Sequence, residues 1–301
     1  MTNYSERLLD VNIQGRLLRI ARPELDKYEA IQDPKAVLRH LRESDRRIDI
    51  FSFMQIMPWT APQYSYPMEW DNLAVLPVST FDHWWNHQIL SYPRNRARQA
   101  EKRGVVIREA TFDDVLVKGI WEVYNESPVR QGKPNAHYGK DLQTVRRLQG
   151  TYLDHSIFIG AFLEEQLIGF AKLVFDESRT QANLMNIVSM VKHRDKAPTN
   201  ALIAQSVRSC AERGIRNLVY QNFAYGKKAP DSLAKFKEVN GFKRVDLPRY
   251  YVPMTPLGKL ALRLRLHHKM VDHLPESVSL KLRELRSAWY ARKFQTTTET
   301  S

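Results

Sequence analysis

From Ser156 onward, apolar residues come in blocks separated by short polar turns. Ile157 to Phe162 reads as one strand, Leu167 to Phe175 as a second and Ala182 to Met190 as a third, with Glu164-Glu165-Gln166 and Asp176 to Thr180 as the turns between them. Blocks of this length with polar punctuation predict an antiparallel meander. The polar run His193 to Thr199 follows as a loop, Pro198 opens a helical run that Gly214 closes, Leu218 to Phe223 reads as a buried strand, and Pro230 to Asn240 as a short helix ended by Gly241. A strand, a helix and a second, parallel strand place a ligand where the strand ends separate. The expected cleft lies between Ile187 and Phe223.

The earlier chain is less regular. Leu8 to Ile20 predicts two short strands around Gln14-Gly15, Pro34 opens a helix to about Arg42, Asp49 to Ile56 alternates like a strand, and Pro58 to Pro67 is a loop rich in proline and aromatic residues. Phe81 to Tyr92 carries Trp84, Trp85 and His87, a cluster that reads as core or a domain seam. Pro93 to Arg103 predicts a basic helix stopped by Gly104, with Arg94, Arg98 and Lys102 on one face that either receives phosphates or is simply solvated. Val105 to Arg108 follows as a strand, and Thr111 is the expected cap of a helix over Phe112 to Tyr124.

Composition narrows the class. The chain of 301 residues is 43% hydrophobic and contains 6 Trp, 13 Tyr and 12 Phe, enough apolar area for a sizeable core. No apolar run approaches the roughly 20 residues that span a bilayer, and the first residues do not read as a signal peptide, so a cytoplasmic protein is expected. The single Cys210 falls on the inward side of its helix and reads as a buried structural thiol. No metal-ligand spacing, dinucleotide fingerprint or nucleophile elbow is present, which disfavours metalloenzyme, dehydrogenase and serine hydrolase readings. The formal charge of +13, from 46 Lys plus Arg against 33 Asp plus Glu, favours a phosphate-rich partner such as a nucleotide, an RNA or an anionic membrane.

The stretch with the densest chemistry is Asn125 to Lys140, which brings a carboxylate, a guanidinium, amides and an imidazole into a loop rich in Pro and Gly. Glu126 or His137 is a candidate base for deprotonating an attacking amine, with Tyr250 a third, and Arg130 is suited to grip an anionic group. Asn125, Gln131 and Tyr138 complete the expected substrate contacts. Each of these residues, taken singly, equally fits an ordinary capped turn.

The strand Val106 to Ala110, the helix after it, the hairpin Phe158 to Phe170 and the closing Phe236-Lys237-Glu238-Val239-Asn240-Gly241-Phe242 resemble, in that order, the GNAT acyltransferase superfamily. The resemblance covers about Val105 to Val252 and implies an α+β (mixed α/β) GNAT acyl-CoA N-acyltransferase fold. It implies direct attack of an amine on a thioester, with acyl-CoA as co-substrate and no metal. Three regions follow: residues 1–104, a reduced GNAT-like half; 105–254, the acyltransferase core; and 255–301, a basic helical tail. The family's pyrophosphate loop falls here on Arg194 to Thr199, where Ala197 and Thr199 replace glycines and Pro198 removes an amide donor. His193, Arg194 and Lys196 supply side-chain charge in compensation, and Asn200 and Asn222 complete the expected cofactor contacts.

Lys237 stands where many GNAT enzymes carry the tyrosine that protonates the leaving thiolate. These departures resemble the Fem-type peptidoglycan aminoacyltransferases and their relatives in polysaccharide gene clusters. That resemblance implies a role for Lys237 at the oxyanion or at the acyl-donor end; taken alone, a lysine on a short helix reads as a solvated side chain. Three functions are expected in order: N-acylation of a sugar or lipid-linked glycan amine in envelope polysaccharide synthesis, aminoacyl transfer from tRNA, and a silent domain that tethers a complex. The tail from Thr255 to Phe294 repeats Leu257, Leu260, Leu264, Val271 and Leu274 at helical spacing among basic residues, as expected of a helix that covers the core or lies on an anionic membrane.

Overall fold

The computed structural model describes residues 11–23, 31, 33–55, 57–130, 133–224 and 232–268. They form two compact units, each built from separated stretches of chain. Gln131, Leu8, Leu9 and the tail beyond residue 268 lie outside the described residues.

The first unit takes in described residues up to 73, together with 222–224 and 244–268. Its strands are β1 (Val11–Gln14), β2 (Ile20–Pro23), β3 (Ile50–Met54), the first half of β4 (Met68–Pro77) and nearly all of β12 (Lys243–Pro253). They run in the order β1-β2-β3-β12-β4, with β1/β2 and β3/β12 antiparallel and β2/β3 parallel. Helix α1 (Pro34–Glu43) starts where expected because Asp33 accepts the amides of Lys35 and Ala36 and Pro34 occupies the first turn. It buries Val37, Leu38 and Leu41 against Phe51, Phe53 and Tyr250.

The second unit holds the remaining described residues up to 221 and 232–243. Its strands run β4-β11-β10-β9-β8-β5, with β5 at Val106–Ala110, β8 at Ser156–Leu163, β9 at Gln166–Phe175, β10 at Gln181–Ser189 and β11 at Asn217–Val219, while β6 (Val129–Arg130) and β7 (Lys133–Pro134) form a separate antiparallel pair. The meander β8-β9-β10 is antiparallel, and β10/β11 is parallel across helix α5 (Pro198–Glu212). The strand–helix–strand unit read from the sequence is therefore present. Helix α2 (Ser91–Lys102) packs on α5, and α3 (Asp114–Asn125) packs on β9. Cys210 is fully buried on α5, and burial pushes its thiol up to about 12, as expected of an inert core residue.

Several boundaries differ from the sequence reading. The cap of α3 is Asp113, which accepts the Leu116 amide at 2.8 Å, because its carboxylate competes better for that donor than Thr111 two residues earlier. β11 has three residues rather than the expected Leu218 to Phe223; at Gln221 the backbone turns to a left-handed conformation (φ 44°), which strands do not adopt. β4 and helix α4 (Leu142–Gln149) are two further elements, in stretches that the sequence expectations leave unassigned. The helix opened by Pro256, α6 (Pro256–Arg263), buries Gly258 and Ala261 in the first unit, the core-covering alternative for the start of the tail. Among the described residues no helix is long and apolar enough to cross a membrane.

Candidate active site

The parallel pairing of β10 with β11 is confined to Gln181–Asn183 against Asn217–Val219. Beyond it β10 continues to Ser189 along β9, through a bulge between Leu184 and Asn186, while β11 has ended. Residues 185–189 are accordingly half-buried, whereas 181–184 are buried. Strand separation of this kind opens a notch at the strand ends, the usual place for a ligand in a sheet with parallel strands.

Ser189 closes β10 and is a meeting point. Its carbonyl accepts from Nη2 of Arg130, and its hydroxyl lies 2.6 Å from that of Thr199 in the first turn of α5. Opposite it, a Cβ on Gly169 would come within 2.7 Å of Ser189 Cβ, so only glycine allows β9 and β10 this close. The other terminal nitrogen of Arg130, Nη1, is buried with no partner among the described residues, and burial draws the guanidinium pKa down despite Glu126 and Tyr124 nearby. A buried donor left open is a ready contact for an anionic oxygen.

The polar loop is organised by Asn135, a buried residue that no local pattern distinguishes from the loop's other amides. Its Nδ2 donates to the carbonyls of Tyr124 (2.8 Å) and Ser127 (2.9 Å), and its Oδ1 accepts the His137 amide at 3.1 Å. Asn125 acts likewise, donating to the Trp121 carbonyl and accepting the Gly139 amide at 2.7 Å. His137 stacks on Tyr124 with ring centroids 4.1 Å apart; burial, with Lys140 and Arg130 nearby, pulls its pKa down to about 4. Its imidazole is neutral and a weak base. Tyr138 is exposed. Behind the loop, the fully buried Lys172 donates to the carbonyls of Gln149 and Thr151 at the end of α4, and burial lowers its pKa to about 8.

Glu126 has a specific partner. Its two carboxylate oxygens accept the amides of Val191 (3.1 Å) and Lys192 (2.9 Å), the first residues of the 3-10 turn Val191–Lys196. That turn carries His193, Arg194 and Lys196. His193 has neither ring nitrogen hydrogen-bonded among the described residues, and burial beside Lys192 and Lys196 lowers its pKa. Arg194 is exposed, but its carbonyl accepts from Arg96 at 2.9 Å, and Arg103 binds both the carbonyl and the carboxylate of Asp195. Arg96 of α2 and Arg103 at the C-cap of that helix thus hold the loop. On the face singled out in the sequence, Arg94 donates to the Trp85 carbonyl and Arg98 lies 5.5 Å over the Trp85 ring. Ala197 adopts φ 57°, the left-handed backbone that a glycine there would take without strain.

Helix α7 (Ser232–Val239) lies between β11 and β12 in the chain. It carries Lys237, which is fully buried with its Nζ 4.4 Å from the ring centroid of Tyr220. Tyr220 is the first residue past β11, so Lys237 sits where that strand leaves its neighbour. The solvated reading of this lysine is excluded. Asn222 and Tyr250 belong to the first unit: Asn222 donates to Asp71 at 2.7 Å, and the Tyr250 hydroxyl donates to Gln55 and accepts the Gln63 amide.

Comparison with solved structures places this arrangement. FemX superposes with a TM-score of 0.55 at 11% identity, over 83% of this chain and 85% of that one. The C-terminal domain of a protein described as a lysylphosphatidylglycerol synthetase, from Agrobacterium fabrum, gives 0.55 at 14% identity over 84% and 82%. L-PGS from Bacillus licheniformis gives 0.55 at 13% over 84% of each chain. The protein has a GNAT-type fold. No family model and no curated protein matches the sequence. Within that fold β10 and β11 are the separating strands, the turn 191–196 with the start of α5 holds the stretch that the family resemblance marks as the phosphate-side loop, and Lys237 lies over Tyr220 just past the end of β11.

Proposed function

We propose that this protein is an acyl-transferring enzyme that takes an aminoacyl group from an aminoacyl-tRNA and passes it to a cell-envelope precursor. The observation that carries the donor assignment is the occupancy of the phosphate-side loop. The amides of Val191 and Lys192 are taken by Glu126, that of Ala197 by the Arg194 carbonyl, and Pro198 has none. A pyrophosphate cradled by backbone N–H groups needs those donors free. The buried Lys237, in the place of a thiolate-protonating tyrosine, supports the same reading, because an ester donor has no thiolate to protonate.

In the proposed reaction the acceptor nitrogen or oxygen forms a bond to the aminoacyl carbonyl carbon, the ester C–O bond breaks, and the ribose oxygen leaves with the proton the acceptor gives up. Lys237 stabilises the negative charge that develops on the carbonyl oxygen, a role for which a desolvated ammonium is effective. Arg130 takes an anionic oxygen of the acceptor through Nη1. The resemblance to Fem-type aminoacyltransferases favours a glycan precursor as that acceptor, and the lysylphosphatidylglycerol synthetase among the structural relatives favours a lipid.

Acyl-CoA is the second reading, and one observation favours it: His193, Arg194 and Lys196 lie together ahead of α5 and can bind phosphate through side chains. A single assay separates the readings. Purified protein is given labelled aminoacyl-tRNAs and acyl-CoAs in parallel with lipid and nucleotide-sugar acceptors. Transfer from aminoacyl-tRNA that Lys237→Met lowers on the order of 10²-fold is the expected result; transfer from acyl-CoA alone reverses the donor assignment. Folded protein with no transfer from either class favours the silent tethering domain.

A further inference from the structure

Away from the notch, the first unit brings together three side chains of metal-ligand type from distant parts of the chain. Glu69 lies on β4, and His267 and His268 follow helix α6. Both histidine Nε2 atoms converge on the same carboxylate oxygen, Oε1 of Glu69, at 3.3 and 2.9 Å, and the three ligand atoms lie within 4.8 Å of one another. The imidazole rings are 4.2 Å apart, and His267 is wedged against Tyr251 at 4.7 Å between ring centroids.

Protons alone serve this cluster poorly. The His267 side chain is only 4% exposed, and its Nδ1 is buried without a partner among the described residues. If Nε2 carries the proton, Nδ1 is a buried acceptor left unsatisfied. If Nδ1 carries it, the Nε2 lone pair faces a carboxylate oxygen, which is repulsive. Protonating both nitrogens pairs the imidazolium with Glu69 but leaves the buried Nδ1–H without an acceptor among the described residues. A divalent cation between the three atoms replaces the repulsion with three donor bonds.

We infer that Glu69, His267 and His268 form a binding site for a zinc-class divalent transition metal ion. Ligands at about 2.0–2.1 Å from a tetrahedral ion are separated from one another by about 3.3 Å, so the two histidine–glutamate distances need to change by a few tenths of an ångström at most. Two imidazoles and one carboxylate suit zinc, cobalt or nickel and not magnesium or calcium, which select oxygen ligands. Glu69 is 40% exposed, which gives the ion a path from solvent and leaves a position for water. The bound ion would clip the chain that follows α6 to strand β4.

The test uses full-length protein without a histidine tag, stripped with chelator and titrated with Co2+ and then with Zn2+ in competition with a chromophoric chelator. The expected result is one equivalent of Co2+ with tetrahedral d–d absorption, displaced by Zn2+, and a rise in Tm on loading. Glu69→Gln and His268→Ala should each weaken binding at least tenfold and lose the rise in Tm. Glu69→Gln decides the matter alone should His268→Ala fail to fold. The exposed pair His83 and His87, with rings 5.3 Å apart, is the control, since two histidines on adjacent turns also bind metal weakly. No stoichiometric binding, or binding insensitive to Glu69→Gln and removed by His83→Ala with His87→Ala, overturns the inference.

Discussion

Glu126 binds the backbone amide of Lys192 at 2.9 Å across 66 positions of chain, and its second oxygen takes the preceding amide. The residue that its sequence context marks as a candidate base is, in the fold, the anchor of the turn Val191–Lys196. Glu126→Ala should cost about 1–3 kcal/mol, the usual range for losing hydrogen bonds to a charged acceptor. It should also accelerate hydrogen exchange at Val191 and Lys192. Glu126→Gln keeps one carbonyl acceptor and should retain much of the stability and the activity. A stable Glu126→Gln protein with no activity would restore the general-base role.

Lys237 should act through its charge at a buried position. Lys237→Met preserves the length and the burial over Tyr220, so its melting temperature should stay within a few degrees of the parent. Single-turnover transfer should fall on the order of 10²-fold, about 3 kcal/mol of transition-state stabilisation. Unfolding of Lys237→Met, or wild-type turnover by it, contradicts the assignment.

Arg130 should separate binding from chemistry. Its Nη1 is the open donor, while Nη2 already holds the Ser189 carbonyl. Arg130→Lys keeps a charge but loses the planar fork, so the expected change is a rise in acceptor KM with a smaller change in kcat. A fall in kcat at unchanged KM would move Arg130 from acceptor binding to the reacting centre.

His137 gives a pH dependence with a definite sign. Its folded pKa is about 4 against an ordinary 6.5, so between those values the unfolded chain binds the extra proton. Stability from this group is therefore present above about pH 6.5 and is lost as pH falls toward 4. Denaturant melts of wild type and His137→Gln across that window should show a flatter profile for the variant. Parallel profiles would assign the acid sensitivity elsewhere.

Gly169 tests the close approach of β9 and β10. An added methyl meets Ser189 Cβ at 2.7 Å and its Cα at 3.1 Å, so Gly169→Ala should cost about 1–3 kcal/mol through overpacking. Because Ser189 holds Arg130 and Thr199, the same change should weaken transfer more than it weakens folding at the assay temperature. Equal activity per folded molecule would show that the site tolerates the shift.

The sequence by itself determined the parts of this protein whose cause is local. Apolar blocks separated by polar turns specify β8, β9 and β10, proline at the first turn specifies the starts of α1 and α5, and the inward spacing of Cys210 specifies its burial. Those signals act over a few residues, so they survive without a fold. The order of elements from β5 onward was legible for the same reason, and with it the GNAT resemblance. Tertiary structure decided everything that depends on residues far apart meeting. Where β11 ends, that Lys237 is buried on Tyr220, that Glu126 consumes the loop amides and that Arg130 keeps one nitrogen open are results of packing. Glu69 and the two histidines show this most plainly, since a metal-binding spacing is local only when the ligands share one segment, and here nearly 200 residues separate them.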